Sequence, residues 1–202
     1  KLGLRERPKD IPSKQAAAAV GQCELMYTYD KLFSEYHHTV AQLLITGDDT
    51  TNDTRRFNFT NTLNRLLELG ALPVINENDT VATDEIVIGD NDTLAAIVAR
   101  SVHADMLILL SDIDGLYTAD PHTHPEATLL HHVAGIDDHI REIAGISSST
   151  QGTGGMVTKL HAADICLGCG CKMVIANGNN PGNLYDILEG KTVGTTFSEE
   201  RL

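Results

Sequence analysis

The stretch Met106-Leu-Ile-Leu-Leu110-Ser111-Asp112 places five apolar residues directly before two polar ones. A continuous apolar run of this length is typical of a strand that is buried on both faces of a parallel sheet. Open α/β sheets bind ligands at the carboxyl ends of such strands, which is where Ser111 and Asp112 stand. The stretch therefore predicts a parallel sheet and one edge of a binding site.

Strands and helices alternate on both sides of this stretch. Further strands are predicted at residues 40–45, 72–75 and 172–176. Helices are predicted from a Ser13 cap to about residue 36, from about 54 to 70, from an Asp90–Asp92 cap onward, at 137–143, after the glycine-rich loop near 155, and at 182–188. This order indicates an α/β fold, with a largely parallel central sheet and helices on both faces in three layers. The alanine run at 16–19 favours a tightly packed core helix over an interface face.

The net charge of the 202-residue chain is -13. This charge argues against a general affinity for nucleic acid or for anionic membranes. No apolar run approaches the roughly 20 residues needed to cross a bilayer, and no signal-peptide pattern is present. We therefore expect a cytoplasmic protein whose partners are neither membranes nor nucleic acid.

Two groups of side chains have the chemistry of metal ligands. Cys166, Cys169 and Cys171 lie close in sequence, but no second ligand pair at zinc-finger spacing accompanies them, which favours buried or half-buried thiols. The histidines at 122, 124, 131 and 132 flank prolines and turn residues, which favours a solvated loop. We expect neither group to hold a metal.

The stretch QGTGGMVTKL (151–160) places three glycines before a predicted helix and one lysine in its first turns. Glycine allows a close backbone approach, and a helix N-terminus attracts phosphate. A Walker A loop needs glycine directly before the lysine, whereas Thr158 precedes Lys159 here. The stretch therefore predicts a phosphate site of another architecture, with Lys159 at the surface, where its substitution would leave the fold intact.

Polar clusters follow three of the predicted strands, at residues 76–79, 111–112 and 177–180. Each cluster alone is more simply a turn, since Asn, Asp and Gly dominate turns. Three clusters at equivalent strand ends, together with the glycine-rich loop, instead favour one binding site.

Five stretches in order resemble the amino acid kinase family. They are SKQA (13–16) with VGQ (20–22), PVINENDTVAT (73–83), GDND (89–92), SDIDGLYTADP (111–121) and GTGGMVTKL (152–160). PVINEND followed by GDND resembles the branch that phosphorylates the γ-carboxylate of L-glutamate, and differs from carbamate, acetylglutamate and uridylate kinases. The resemblance implies the family's fold, the use of ATP and Mg²⁺, and the first step of proline biosynthesis.

The resemblance also implies residue roles. Lys159 would contact the transferring phosphoryl group, and Asp92 would orient the phosphate-contacting lysines. Asp79 and Asn91 would hold glutamate. The ATP-binding residues would be Ser111, Asp112, Thr153, Gly154, Gly155, Met156, Val157, Thr158 and Lys159. The protein itself would supply no resident metal site.

Two departures from the family pattern accompany these expectations. Before Lys1, the sequence lacks the family's first strand with its lysine, its glycine turn and a Ser-Gly-Ala segment. No PUA domain follows residue 202. We therefore expect residues 1–202 to be a kinase domain without those parts. The resemblance implies a homo-oligomer, a dimer or tetramer, and keeps proline as a candidate feedback inhibitor. Two alternatives stay open: a related kinase with another acceptor, and a non-catalytic homologue that binds proline or nucleotide.

Overall fold

The computed structural model describes residues 2–3, 6, 8–81, 90–146 and 155–199. The chain forms two compact units, Lys1–Ile88 and Gly89–Leu202. Strands and helices alternate in both, which confirms the predicted α/β class. Among the described helices, none is long and apolar enough to cross a membrane.

The first unit contains a two-stranded parallel sheet. Its elements are α1 (Ile11–Ser34), β1 (Val40–Ile45), α2 (Gly47–Thr51), α3 (Asp53–Glu68) and β2 (Leu72–Glu77). Val40 pairs with Leu72 and Ile45 pairs with Glu77, so the two strands run in register along their whole length. Ile45, Phe59 and Leu63 are its buried apolar side chains among the described residues. β2 ends inside the polar cluster at 76–79, two residues before Asp79.

The start and the packing of α1 differ from the prediction. Asp10 caps the helix, because its Oδ1 accepts a hydrogen bond from the Ser13 backbone N–H at 2.9 Å. The helix therefore begins at Ile11, before Ser13. Pro12 is tolerated in its first turn, because an N–H at that position would have no helical partner. No residue of α1 is buried, so the expectation of a tightly packed core helix at 16–19 is wrong. Alanine promotes a helix through its backbone propensity, which is independent of burial.

The second unit contains a four-stranded sheet in the order β3-β5-β6-β4. Its elements are α4 (Asn91–Ser101), β3 (Met106–Ser111), β4 (His132–Val133), α5 (Asp138–Ile146), α6 (Met156–Leu167), β5 (Lys172–Asn177), α7 (Asn183–Leu188) and β6 (Thr195–Phe197). β3 pairs with β5 and β4 with β6 in parallel, while β5 and β6 are antiparallel. The sheet is therefore mostly parallel, as predicted.

Alternate side chains of β5 enter two separate apolar clusters. Met173 and Ile175 pack in a cluster with buried residues of α4, α5 and α6. Val174 and Ala176 pack in another with Ile187 of α7. Because successive side chains of a strand point to opposite faces, helices cover both faces of this sheet.

β3 is less buried than its apolar sequence predicts. Leu109 is buried in the cluster with α4 and α6, but its neighbour Leu110 is 49% exposed. The prediction that both faces of this strand are buried is therefore wrong for Leu110. The apolar run correctly predicted a strand. How far each face of that strand is buried depends on which other elements of the chain pack against it.

Candidate functional site

A cavity of about 250 Å³ lies at the carboxyl ends of β3 and β5 in the second unit. Ser111, Asp112 and Asn177 line it from the strand ends, and Gly155, Met156 and Lys159 line it from the start of α6. Two of the three predicted polar clusters therefore meet the start of α6 at one cavity. The third cluster, at 76–79, belongs to the first unit.

Lys159 is buried, not on the surface as predicted. Only 7% of the residue is exposed, and its Nζ lies 3.0 Å from Oδ2 of Asp92. α6 carries the lysine in its first turns and α4 carries the aspartate in its first turn. The contact therefore joins the N-terminal ends of two helices, and it leaves a paired cation at the wall of the cavity.

Thr158 contacts the same carboxylate. Its Oγ1 lies 2.9 Å from Oδ2 of Asp92 and 2.7 Å from the Gly155 carbonyl oxygen. Since a hydroxyl donates a single hydrogen, these two acceptors share it. The sequence assigned Thr158 to ATP, whereas in the structure its hydroxyl holds Asp92.

The two helix ends differ in how they are capped. Asp90 caps α4, and its carboxylate accepts from the Thr93 backbone N–H at 2.7 Å and from the Thr93 hydroxyl at 2.9 Å. This agrees with the predicted cap at residues 90–92. Gly155 is the N-cap of α6 and supplies no side-chain hydrogen bond. The first turn of α6 therefore offers backbone N–H groups and the positive end of a helix dipole, which suit a phosphate group.

The loop after β3 adds residues that the sequence reasoning did not select. Asp114, Tyr117, Asp120 and His122 also line the cavity. Asp114, Tyr117 and Asp120 belong to the SDIDGLYTADP stretch (111–121), and His122 directly follows it; no other feature of the sequence indicated their place at the cavity. Burial is the main cause that raises the pKa of the Tyr117 phenol. The hydrogen bond to Asp114 and the charge of that carboxylate raise this pKa further. Tyr117 therefore stays protonated at neutral pH and donates its hydrogen to Asp114.

The remaining predicted site residues are not part of the cavity lining or are not described. Asp79 is exposed in the turn after β2, in the first unit, and Asn91 is exposed at the start of α4. Val157 is 56% exposed on α6. Thr153 and Gly154 lie outside the described residues. Of the predicted ATP-binding set, Ser111, Asp112, Gly155, Met156 and Lys159 line the cavity.

No group of three or more His, Cys, Asp or Glu side chains in the described ranges is placed to hold a metal ion. Cys166 and Cys171 are buried, whereas Cys169 is exposed, contrary to the expectation of three covered thiols. Burial is the main cause that raises the pKa of the Cys166 thiol to about 12, and the charge of the neighbouring Cys171 contributes to the same rise.

Three of the four histidines are exposed, as predicted: His122, His124 and His131. The ring of His131 hydrogen-bonds with the Gly194 carbonyl oxygen at 3.2 Å. His132 is half-buried, and its ring hydrogen-bonds with the Ser198 hydroxyl at 3.2 Å. His132 lies in β4, so the expectation of a solvated loop is wrong there.

Two relatives illustrate what the chain is similar to. A protein of Clostridium tetani (strain Massachusetts / E88) named glutamate 5-kinase is 51% identical over 198 residues, which cover 98% of this chain and 74% of that protein. A protein of the same name from Carboxydothermus hydrogenoformans is 53% identical over 197 residues, which cover 98% of this chain and 53% of that protein. The chain thus spans about three quarters of one relative and about half of the other.

A solved structure shares the fold at lower identity. Isopentenyl phosphate kinase of T. acidophilum, solved as a product complex, superposes with a TM-score of 0.64 at 21% identity, over 94% of this chain and 74% of that one. The family model described as the amino acid kinase family matches residues 1–177. This match and the identity to the two relatives lead to one conclusion: the chain belongs to the amino acid kinase family.

Proposed function

We propose that this chain transfers the γ-phosphoryl group of ATP to the γ-carboxylate of L-glutamate, forming γ-glutamyl phosphate in the first step of proline biosynthesis. The relatives named glutamate 5-kinase, about half identical over nearly the whole chain, support the choice of substrate. The structural observation that carries the proposal is the buried Lys159–Asp92 pair, at a helix start without a side-chain cap and at the wall of a polar cavity.

The chemistry of the acceptor matches this arrangement. A glutamate carboxyl has an ordinary pKa of about 4.3, so it is already ionised at neutral pH and needs no general base. Catalysis then depends on alignment and on neutralising the charge that develops on the phosphoryl oxygens. Lys159 supplies a fixed positive charge for this purpose, and the first turn of α6 supplies backbone N–H groups.

Asp92 and Thr158 hold the lysine in place on this account. The carboxylate of Asp92 lies 3.0 Å from Lys159 Nζ and 2.9 Å from Thr158 Oγ1, so the ammonium group is oriented from one side. A charge that is fixed before the reaction costs no reorganisation during it. The three side chains therefore form a preorganised unit that acts on the phosphoryl group through Lys159 alone.

Asp79 and Asn91 are proposed to select glutamate. A carboxylate suits the ammonium group of the amino acid, and a side-chain amide can serve either of its charged groups. Both side chains are exposed, in the turn after β2 and at the first residue of α4. This assignment rests on the family resemblance of PVINEND and GDND.

Mg²⁺ fits the chemistry of the cavity as a companion of ATP. Asp112, Asp114 and Asp120 place carboxylates in its lining, and Mg²⁺ takes oxygen ligands. Such ions are usually held by one or two carboxylates together with substrate phosphates, so no protein cage is required. The ion would neutralise phosphate charge. Following the resemblance, the proposal also includes a homo-oligomeric cytoplasmic protein, a dimer or tetramer, with proline as a candidate inhibitor.

The test is a panel of acceptors with ATP and Mg²⁺, using the full-length gene product. Glutamate should release ADP and, with hydroxylamine present, should form the γ-hydroxamate, because hydroxylamine traps an acyl phosphate. N-acetylglutamate, carbamate and a phosphorylated alcohol should give little ADP. Preferred turnover of another acceptor would assign a different kinase activity. Tight nucleotide or proline binding without turnover of any acceptor would favour the non-catalytic homologue.

A further inference from the structure

Three cysteines lie within six residues at the carboxyl end of α6. The helix ends at Leu167, and the chain turns through Gly170, whose φ is +73, before β5 begins. Cys171 N–H donates to the Cys166 carbonyl oxygen at 2.9 Å. Gly170 N–H donates to the Leu167 carbonyl oxygen at 3.1 Å. These two bonds form a Schellman motif, in which the residue after the glycine packs against the residue that accepts its hydrogen bond. The turn therefore brings Cys166 and Cys171 together.

The thiols of Cys166 and Cys171 are in contact inside the second unit. Cys166 is 0% exposed and Cys171 is 3% exposed, and both belong to the apolar cluster between the sheet and α4, α5 and α6. The two thiols are hydrogen-bonded to each other, and the Cys171 thiol also donates to the Lys172 carbonyl oxygen at 3.5 Å. A disulfide requires two cysteines whose backbones are close and whose side chains point toward each other. This pair meets both conditions.

Cys169 is the exposed member of the group. Its Sγ lies 3.2 Å from the Cys166 carbonyl oxygen, which is the atom that also accepts the Cys171 N–H. Cys169 therefore lies beside the buried pair and is open to solvent at the same time. Thiol–disulfide exchange passes from one sulfur to the next through mixed disulfides. Oxidation that begins at Cys169 can therefore reach the pair behind it.

Burial protects the pair from direct oxidation. It raises the pKa of the Cys166 and Cys171 thiols, so few of them are ionised at neutral pH, and the thiolate is the species that attacks a disulfide. Burial also shields both sulfur atoms from dissolved oxidants. A mixed disulfide on Cys169 removes this second obstacle, because attack by a neighbouring thiol is intramolecular and proceeds at a high effective concentration.

We propose that Cys166, Cys169 and Cys171 form a modification site for low-molecular-weight disulfides. Cys169 takes up the oxidant, and the product is a Cys166–Cys171 disulfide that fastens the end of α6 to the residue before β5. This site lies at the opposite end of α6 from Lys159, and the proposal does not depend on the proposed kinase activity.

The exchange steps balance in atoms and electrons. The Cys169 thiolate attacks one sulfur of a disulfide RSSR, forms a mixed disulfide with one RS group and releases the other as RS⁻. The Cys171 sulfur then attacks the Cys169 sulfur, and the second RS⁻ leaves. Finally, the Cys166 sulfur attacks the Cys171 sulfur, and Cys169 leaves as a thiolate. The protons of Cys166 and Cys171 end on the two RS⁻ groups, so RSSR is reduced to two RSH while the pair is oxidised by two electrons.

Oxidised glutathione tests the proposal on the reduced full-length protein at pH 8. Trypsin cleaves after Lys159 and Lys172, so the three cysteines are released together in the peptide 160–172. After oxidation, denaturation and alkylation with iodoacetamide, this peptide should carry a single carbamidomethyl group, and tandem mass spectrometry should locate it on Cys169. Dithiothreitol added before the alkylation should give a peptide that is alkylated at all three cysteines.

Two serine variants at exposed positions test the role of Cys169. Cys169→Ser removes the thiol that takes up the oxidant and should slow formation of the Cys166–Cys171 disulfide at least about 10-fold. Cys23→Ser, which changes an exposed cysteine of α1, is the matched control and should leave the rate unchanged. Equal rates in the unaltered protein and in both variants would overturn the proposed path through Cys169.

Replacing both Cys166 and Cys171 by alanine should leave the glutathione adduct on Cys169 in place, because no neighbouring thiol remains to displace it. The same stable adduct in the unaltered protein, with Cys166 and Cys171 both alkylated after denaturation, would overturn the proposal. If the alanine variant fails to fold, the peptide map of the unaltered protein and the Cys169→Ser rate still decide the question.

The disulfide should also stabilise the folded protein, because a cross-link over six residues restricts the unfolded chain. The Tm of the oxidised protein should lie about 2–5 °C above that of the reduced protein. A disulfide that forms but lowers the Tm would contradict the proposal, since the bond would then distort the fold. None of these measurements uses ATP or glutamate, so their failure and the failure of the proposed function are distinguishable.

Discussion

At the scale of single residues, burial distinguishes Lys159 from the other lysines among the described residues. The Lys159 side chain is 9% exposed and that of Asp92 is 18% exposed, so the pair is largely shielded from water. Removing one partner of such a pair leaves the other charge uncompensated. Lys159 therefore contributes both to the proposed catalysis and to the stability of the second unit.

Lys159→Met should lower kcat about 10²- to 10³-fold, since a fixed charge on the phosphoryl group would be lost. It should also reduce the free energy of unfolding by about 1–3 kcal/mol, because Asp92 would lose its cation. Steady-state kinetics and urea unfolding measure these effects. Lys31→Met, an exposed position on α1, is the matched control. Near-normal turnover in Lys159→Met would disprove the assignment.

Thr158 should act through Asp92, not through the substrate. Thr158→Val removes the hydroxyl that lies 2.9 Å from the carboxylate and should lower kcat about 5- to 10-fold, with little change in either KM. Thr158→Ser keeps the hydroxyl and should restore kcat. A rise in the KM for ATP in Thr158→Val, at constant kcat, would instead support the direct contact with ATP expected from the sequence.

At the scale of elements, the cap of α4 connects local structure to the site. Asp90→Ala should reduce the free energy of unfolding by about 1 kcal/mol, since the Thr93 N–H loses its partner. It should also lower kcat, because Asp92 lies in the same first turn. Asp10→Ala removes the corresponding cap of α1 and should leave kcat within about twofold. Equal kinetic effects of both variants would contradict this link.

The carboxyl end of α6 protects two thiols. Gly170, with φ +73, allows the backbone to turn so that Cys171 N–H donates to the Cys166 carbonyl oxygen at 2.9 Å. Because the pKa of Cys166 is raised to about 12, only about one in ten thousand of its thiols is ionised at pH 8. Burial also raises the pKa of Cys171.

Iodoacetamide at pH 8 should therefore modify Cys23 and Cys169 in the folded protein, since both are exposed. Cys166 and Cys171 should react only after denaturation, which peptide mass spectrometry can follow. Labelling of Cys166 at the rate of Cys169 would contradict the burial seen in the structure.

At the scale of the whole molecule, Asp79 and Asn91 are the residues proposed to bind glutamate. Asp79 belongs to Lys1–Ile88 and Asn91 to Gly89–Leu202. Asp79→Ala and Asn91→Ala should each raise the KM for glutamate at least about 10-fold, since a charged or amide hydrogen bond to the substrate is lost, while the KM for ATP stays nearly constant. Asp53→Ala, an exposed carboxylate on α3, is a suitable control. Equal changes in both KM values would place these residues elsewhere.

The sequence by itself determined the α/β class and most element positions. Apolar runs such as Met106–Leu110 and capping residues such as Asp90 are local patterns, and local patterns set where a strand or helix begins. The strand-end clusters at Ser111 and Asn177 and the start of α6 were predictable for the same reason. The roles of Asp79 and Asn91 stay predictions.

Only the tertiary structure decided which side chains meet and which are covered. Lys159 and Asp92 are 67 positions apart, and Asn177 and Asp114 are 63 apart, so their contacts depend on sheet register and helix packing. No local pattern encodes such a distance. The same reason explains why no alanine of the 16–19 run is buried and why Leu110 is half exposed. Burial depends on what packs against an element and not on the element's own sequence.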